Sequence, residues 1–86
     1  MNKINKQILK IIEDYKRDSA WFFDNYDKFK RFYRNKYIVV KNEKILFSAK
    51  NIRDLKRKAK IRNVDLTTAY INKVPKKDIT IIFLNT

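Results

Sequence analysis

The sequence predicts an α+β domain with the element order α-α-β-β-α-β-β: two N-terminal helices, a β-hairpin, a basic helix and two further strands. Three observations support this order. Apolar residues recur at helical spacing in the first third of the chain, a strand–turn–strand pattern follows near its middle, and a nearly unbroken apolar segment lies near its end. With 86 residues, of which 44% are hydrophobic, the chain is expected to fold as a single domain, residues 1–86, with its helices packed against one small sheet.

The first predicted helix, residues 1–18, is amphipathic. Its apolar side chains share one helical face, and they are Ile4, Ile8, Ile11, Ile12 and Tyr15. The polar stretch that starts at Lys16 is expected to end this helix, with Asp18 or Ser19 as the N-cap of a second helix over residues 20–34. A helix that precedes the rest of the domain in this way is a candidate interface extension.

The second predicted helix is rich in aromatic residues, and these are Trp21, Phe22, Phe23, Tyr26, Phe29, Phe32 and Tyr33. An aromatic stripe at helical spacing is typical of a side that faces the core. Basic residues alternate with the rings toward the end of the helix. Such alternation is also typical of surfaces on which the bases of single-stranded nucleic acid stack, provided that Phe32 or Tyr33 is exposed.

A β-hairpin is predicted over residues 37–49. Residues 37–40 and 44–49 have strand-like composition, and the short polar segment between them contains Asn42 and Glu43. Asparagine tolerates the left-handed backbone that tight hairpin turns require, although the glycine that usually follows it is missing here. We therefore expect a tight turn at these two residues.

The second half of the chain predicts a helix and two strands. Asn51 is a suitable N-cap for a third helix that runs to about Lys60. Residues 66–74 then predict a third strand, and Pro75 opens a turn. The final predicted strand, residues 79–84, is apolar at nearly every position, which indicates a strand that is central or covered on both faces.

The net charge of +13 is concentrated in the middle of the chain, where residues 37–62 carry nine basic side chains and two acidic ones. On a helical wheel the predicted core positions of the third helix are Ile52, Leu55 and Ala59. Another side collects Lys50, Arg53, Arg57 and Lys60 within about 80°. Like charges four residues apart destabilise a helix slightly, so this pattern favours an anionic ligand over a merely solvated face.

The sequence therefore predicts a non-enzymatic domain that binds nucleic acid mainly through its phosphates. The expected ligand is RNA or a ribonucleoprotein, in preference to DNA. The predicted contacts are Lys50, Arg53, Lys56, Arg57, Lys60 and Arg62. Secondary candidates are Arg31, Arg34, Lys41 and Lys44. Contacts to phosphate position a protein on nucleic acid without reading its sequence.

Two alternatives remain open. One is a homodimer or a protein–protein adaptor that uses the first helix or the last strand and binds an acidic partner. The other, a more distant one, is a ribonuclease toxin that acts without histidine. The chain has no histidine and no cysteine, which excludes thiolate chemistry and zinc sites built from those residues. No catalytic residue, metal site or cofactor is predicted. No apolar run is long enough to span a membrane, and a cytoplasmic location is expected.

The central part of the chain, from "WFFDNYDKFKRFYRNKYIVVKNEKILFSAK" to "AYINKVPKKD", resembles a family of small, mainly archaeal proteins catalogued only as a domain of unknown function. The similar features are an aromatic opening near Trp21, a hydrophobic strand after Lys36, and a strand that ends in Val74-Pro75. The resemblance spans about residues 21–78. It implies a ββαβ core, and it implies no activity, cofactor or binding residue.

Overall fold

A computed structural model describes residues 5–76 and confirms the α+β class. Its elements are α1 Lys6–Asp24, α2 Tyr26–Phe32, β1 Tyr37–Lys41, β2 Lys44–Ala49, α3 Ile52–Ile61, a 3₁₀ turn Leu66–Thr68 and β3 Tyr70–Lys73. The final predicted strand, residues 79–84, lies outside the described residues. Within them, the order of helices and strands agrees with the prediction.

The three described strands form one antiparallel sheet in the order β2-β1-β3, with β1 in the middle. Tyr37, the first residue of β1, pairs with Ala49 and with Lys73, the last residues of the other two strands. We refer to this end of the sheet as the entry end. At the opposite end, which we call the hairpin end, Lys41 pairs with Lys44.

Helices cover both faces of this sheet. One buried cluster, on the side of α1 and α2, contains Phe22, Phe29, Ile38, Val40, Tyr70 and Val74. The other, on the side of α3, contains Val39, Phe47, Ala49, Leu55 and Ala59. Successive residues of β1 thus point into opposite cores, which explains why this strand is apolar without alternation.

The first helix is longer than predicted. α1 continues through the polar stretch at residues 16–19, so the predicted break there is wrong, and neither Asp18 nor Ser19 is an N-cap. The break lies instead at Asn25, whose side-chain amide donates a 2.9 Å hydrogen bond to the carbonyl oxygen of Trp21. Asp18 does not disturb the helix, because its carboxylate accepts hydrogen bonds from another element, the hairpin turn.

The hairpin turn is formed as predicted. Asn42 and Glu43 have φ angles of 54° and 58°, the left-handed pair that is typical of a type I′ turn. The pairing register shifts between Val39 and Val40, where Leu46 of β2 is the extra residue of a bulge. In a chain without glycine, asparagine occupies three of the four positive-φ positions found among residues 5–76.

The third helix starts as predicted, because the side chain of Asn51 accepts a 2.8 Å hydrogen bond from the backbone N–H of Asp54. It ends one residue later than expected. The predicted core residues Leu55 and Ala59 are buried against the sheet. Ile52 is not, since its side chain is 48% exposed on the flank of the first turn, and its assignment to the core is wrong.

The third strand is shorter than predicted. The chain forms a 3₁₀ turn over Leu66–Thr68, and pairing with β1 begins only at Tyr70. The carboxylate of Asp65 caps this turn by accepting hydrogen bonds from the backbone N–H and the hydroxyl of Thr67, which commits the local backbone to a turn. The predicted turn after β3 extends beyond the described residues.

The sheet supports only the second half of α1. Nineteen residues make a helix about 28 Å long, whereas the five residues of β1 span about 17 Å. Tyr15 still contacts the ring of Tyr70, with 5.1 Å between centroids. From Tyr15 toward the start of α1, the apolar face of the helix is exposed among the described residues. It contains Ile8, Ile11, Ile12 and Tyr15.

Candidate nucleic-acid interface

Two basic side chains fasten α3 to β2. The ammonium group of Lys58 donates a 2.8 Å hydrogen bond to the carbonyl oxygen of Ser48. The guanidinium group of Arg62 donates a 3.1 Å hydrogen bond to the carbonyl oxygen of Leu46 and lies 5.7 Å from the centroid of the Phe47 ring. Arg62, a predicted phosphate contact, therefore has a structural role in the free protein.

The outward side of α3 carries four exposed cations, which we call the basic face: Arg53, Lys56, Arg57 and Lys60. Arg57 forms a 3.3 Å ion pair with Asp54, one turn earlier. Within residues 5–76, the side chains of the other three form no hydrogen bond or ion pair. All four are predicted phosphate contacts, and the structure brings them together on one helical surface.

A small cavity of about 170 Å³ lies beside the first turns of α3, at the entry end of the sheet. Its lining residues come from β2, from α3 and from the loops before β1 and after β2, and they are Lys36, Ser48, Ala49, Lys50, Asp54, Arg57 and Lys58. Arg57 thus belongs both to the cavity and to the basic face. Lys50 is here as predicted, whereas Lys36 and Lys58 were not among the predicted contacts. We call this site the basic cavity.

The basic residues of α2 and of the loop that follows it lie on the other side of the sheet. Arg31 and Arg34 line an open depression together with Asp27 and Lys30. The ammonium group of Lys30 is 5.5 Å from the centroid of the Tyr26 ring and 3.4 Å from the carboxylate of Asp27. These secondary candidates are therefore separate from the basic face.

The aromatic residues of this region divide between core and surface. Phe22 and Phe29 are buried, as expected of a core stripe. Phe32 is 65% exposed at the end of α2, and Lys28 and Arg31 of the same helix are also exposed. Tyr33 is half-buried. Phe32 is therefore exposed, as a surface for the stacking of bases requires.

The remaining two candidates lie at the hairpin end, away from the basic cavity. The ammonium group of Lys41 donates a 2.9 Å hydrogen bond to the hydroxyl of Thr68, so this side chain already ties β1 to the 3₁₀ turn. Lys44 is exposed at the start of β2. The structure does not join either residue to the entry end of the sheet.

The one buried charged side chain among the described residues belongs to Asp18, which is 2% exposed. Burial alone would raise the pKa of this carboxyl group. Hydrogen bonds from Arg17 and from the backbone N–H groups of Glu43 and Asn42 outweigh burial and hold the pKa below its ordinary value. The same contact with Asp18 raises the pKa of the Arg17 guanidinium. This network is structural, because it joins α1 to the hairpin.

The paired carboxylates do not form a metal site within residues 5–76, where no three potential ligands of the acidic, histidine or cysteine type converge. Asp14 and Asp18 share the guanidinium group of Arg17, at 3.2 Å from each carboxylate. In the same part of the chain, no helix combines the length and apolar character needed to cross a bilayer.

These features define a three-layer α+β domain in which a cationic helix covers one face of a small antiparallel sheet. The chain belongs to the family of unknown function DUF5678, whose model matches residues 28–77. This confirms the resemblance to a domain of unknown function. The matched region begins within α2 and includes the basic face and the basic cavity, whereas α1 precedes it. No curated protein and no solved structure matches the chain.

Proposed function

We propose that this domain is a non-enzymatic module that binds nucleic acid, RNA in preference to DNA, mainly through phosphate contacts. The observation that carries the proposal is the basic face of α3. Three of its four cations, Arg53, Lys56 and Lys60, have no ionic or hydrogen-bonding partner within the described residues. Exposed cations without partners are free to replace the counterions of a phosphate backbone.

Electrostatic cost supports the same interpretation. Arg53 and Arg57, and likewise Lys56 and Lys60, are like-charged pairs four residues apart, and each pair destabilises α3 by roughly 0.2–0.5 kcal/mol. The one ion pair of the basic face, between Arg57 and Asp54, is exposed and contributes little. The phosphates of a polyanion bound across this surface would screen the repulsion between these cations, and each cation would be attracted to a phosphate.

The exposed ring of Phe32 supports binding to a single strand. A base of a single strand can stack on this ring while Lys28 and Arg31 hold the neighbouring phosphates, which is the arrangement found in single-strand binders. Proteins recognise RNA mostly in single-stranded regions, whose bases are accessible. Helices α3 and α2 cover opposite faces of the sheet. Phe32 would therefore form a second contact site, separate from the basic face, for a long strand.

The experiment that tests this function is a salt series of binding affinities for single-stranded RNA, duplex RNA and duplex DNA of matched length. For single-stranded RNA we expect log K to fall with log salt at a slope of about −3, since four phosphate contacts each contribute about 0.7. The double variant Arg53→Glu/Lys60→Glu should abolish most of this binding. Neither side chain has a partner within residues 5–76, so the fold should remain intact.

A matched control is Lys6→Glu/Lys16→Glu, which changes the net charge by the same amount on the exposed surface of α1. If both variants weaken binding equally, the attraction is a property of the whole charge and the basic face is not the site. If the wild type binds none of the three ligands at low salt, the proposed function is wrong.

A second candidate function, homodimerisation through α1, is favoured by a different observation. Among the described residues, the apolar side chains of Ile8, Ile11, Ile12 and Tyr15 are each 40–56% exposed, although Tyr15 contacts the ring of Tyr70. The polar residues around it carry both signs, with Lys10 paired to Asp14 at 3.3 Å, which suits a second copy of the same helix better than a strongly acidic partner. Light scattering tests this idea. A dimer that Ile8→Glu/Ile12→Glu converts to a folded monomer supports it, and a monomeric wild type contradicts it.

A further inference from the structure

We propose that the basic cavity binds the terminal phosphate of a nucleic-acid strand, so that the domain recognises phosphorylated strand ends. The inference rests on the proposed nucleic-acid function and assigns a specific ligand group to one part of the surface. It depends on the size of the cavity, on the charges that line it, and on its position at one end of the basic face.

Size limits the ligand to a small group. The cavity has a volume of about 170 Å³. Sites that enclose a whole small molecule usually measure about 300–1,000 Å³. A phosphate group fits a space of this size, while a complete nucleotide or a cofactor would extend well beyond it. The cavity therefore suits one end of a larger ligand.

Charge selects a dianion. Lys36, Lys50, Arg57 and Lys58 line the cavity, and the single carboxylate among them, that of Asp54, is 3.3 Å from the guanidinium group of Arg57. That pairing leaves three ammonium groups to balance a ligand. The ammonium group of Lys58 uses one proton for the carbonyl oxygen of Ser48 and has two others to donate. Lys36 is half-buried, and its ammonium group forms no hydrogen bond or ion pair within the described residues.

A terminal phosphate meets this requirement better than an internal one. A phosphate monoester carries about −1.5 to −2 charges at pH 7, whereas each internal phosphodiester carries only one. A monoester also offers three terminal oxygens to the converging ammonium groups, compared with the two of a diester. The amide N–H of Asp54 is not available to this ligand, since the side chain of Asn51 already accepts its hydrogen bond.

The position of the cavity connects it to the proposed interface. Arg57 lines both the cavity and the basic face, so a strand whose end lies in the cavity can continue across Arg53 and Lys60 without a gap in positive charge. The basic face supplies affinity for the backbone, and the basic cavity supplies preference for the end.

The test compares RNA single strands of one sequence with a 5′-phosphate, a 3′-phosphate, or hydroxyl groups at both ends. We expect one of the phosphorylated strands to bind at least roughly tenfold more tightly than the hydroxyl strand, since charge-assisted hydrogen bonds are strong. The double variant Lys36→Gln/Lys50→Gln should lose this preference. The matched control Lys56→Gln/Lys60→Gln removes the same charge outside the cavity and should weaken all strands equally, with the preference retained.

A third variant moves the result in the opposite direction. Asp54→Asn removes the one carboxylate among the described residues that line the cavity, and it should increase the preference for the phosphorylated strand. Equal binding of all three strands by the wild type overturns the inference and leaves the proposed function intact. A phosphoserine peptide that binds as tightly as the phosphorylated RNA assigns the cavity to a protein ligand and also overturns it.

An independent arm uses phenyl phosphate, followed by NMR in the wild-type protein. Shifts confined to the amides of residues 48–58 and Lys36 support a phosphate site in the cavity, and no shift at saturating ligand overturns the inference. If phenyl phosphate binds there but no RNA binds at low salt, the proposed function is wrong, and the assignment of the cavity to a strand end is wrong with it.

Discussion

The carboxylate of Asp18, in the middle of α1, accepts a 2.9 Å hydrogen bond from the backbone N–H of Glu43 in the hairpin turn. Its second oxygen accepts a 3.2 Å hydrogen bond from the backbone N–H of Asn42. Arg17 closes the network, because its guanidinium group contacts Asp18 and donates a 3.0 Å hydrogen bond to the side-chain oxygen of Asn42. A single buried carboxylate thus fixes the helix layer to the sheet.

Replacement of Asp18 should therefore be costly. Asp18→Asn keeps the shape of the side chain but presents an N–H₂ group to one of the two backbone donors. We expect a loss of about 2 kcal/mol in the free energy of unfolding, the usual cost of a buried donor without a partner. Urea denaturation measures it. Asp14→Asn is the control, since Asp14 forms more exposed ion pairs, and its loss should be less than about 1 kcal/mol. Equal losses would contradict a special role for Asp18.

Stability should also depend on pH through this carboxylate. Because the folded pKa of Asp18 lies below its ordinary value of about 3.9, the folded state binds fewer protons than the unfolded state in the acid range. The ionised carboxylate stabilises the fold above about pH 4, and this contribution is lost as the pH falls through the folded pKa.

Asp65, whose pKa is lowered by hydrogen bonds from Thr67, contributes in the same direction. Urea midpoints measured from pH 6 to pH 2 should fall more steeply for the wild type than for Asp18→Asn. Parallel curves for the two proteins would show that Asp18 is not the titrating group.

The hairpin turn offers a stabilising substitution. Glu43 has a φ of 58°, a conformation that costs a non-glycine residue roughly 1 kcal/mol and that glycine adopts freely. Glu43→Gly should therefore raise the free energy of unfolding by up to about 1 kcal/mol. Lys44→Gly, in the adjacent strand, should lower it, because glycine weakens a strand. Thermal denaturation of the two variants compares them directly, and a lower midpoint for Glu43→Gly would contradict the prediction.

The cations of α3 should separate into structural and ligand-binding groups. Arg62→Ala removes the contact with Phe47 and the hydrogen bond to Leu46, and we expect a loss of about 1 kcal/mol in stability. Arg53→Ala should leave stability unchanged or raise it by a few tenths of a kcal/mol, since it removes the repulsion from Arg57, and it should reduce affinity for RNA. Urea denaturation and RNA titration of both variants test this division. An unchanged stability for Arg62→Ala would contradict its structural role and leave this residue as a predicted phosphate contact.

Local features of the fold were predictable from the sequence. The Asn42-Glu43 turn and the Asn51 cap depend on neighbouring residues, so short patterns were enough to predict them. Asp18 was misassigned because its partners lie 24 and 25 residues further along the chain, in the hairpin turn. Without that contact, an aspartate within a polar stretch is most simply interpreted as a cap.

The candidate site shows the same division. The basic face lies on one helix, and helical spacing was enough to group three of its residues, Arg53, Arg57 and Lys60. The wheel placed Lys50 with them, whereas the structure places Lys50 at the basic cavity and Lys56 on the basic face.

The basic cavity could not be predicted, because Lys36 and Lys58 meet there only after β1 and β2 pair and α3 packs on them. Ile52 has core-like spacing but flanks the first turn of α3, where the sheet does not cover it. Spacing defines a side of a helix, and the neighbouring layer decides how far along that side burial extends.

The shared position of Arg57 has a consequence for stoichiometry. In the proposed complex, a strand that runs over the basic face and ends in the basic cavity would have a fixed polarity, because only one of its termini would reach the cavity. Lengthening the strand would then add no further high-affinity positions, and each molecule of RNA would take up one molecule of protein at its end. The number of bound protein molecules would then depend on the number of strand termini and not on the length of the strand.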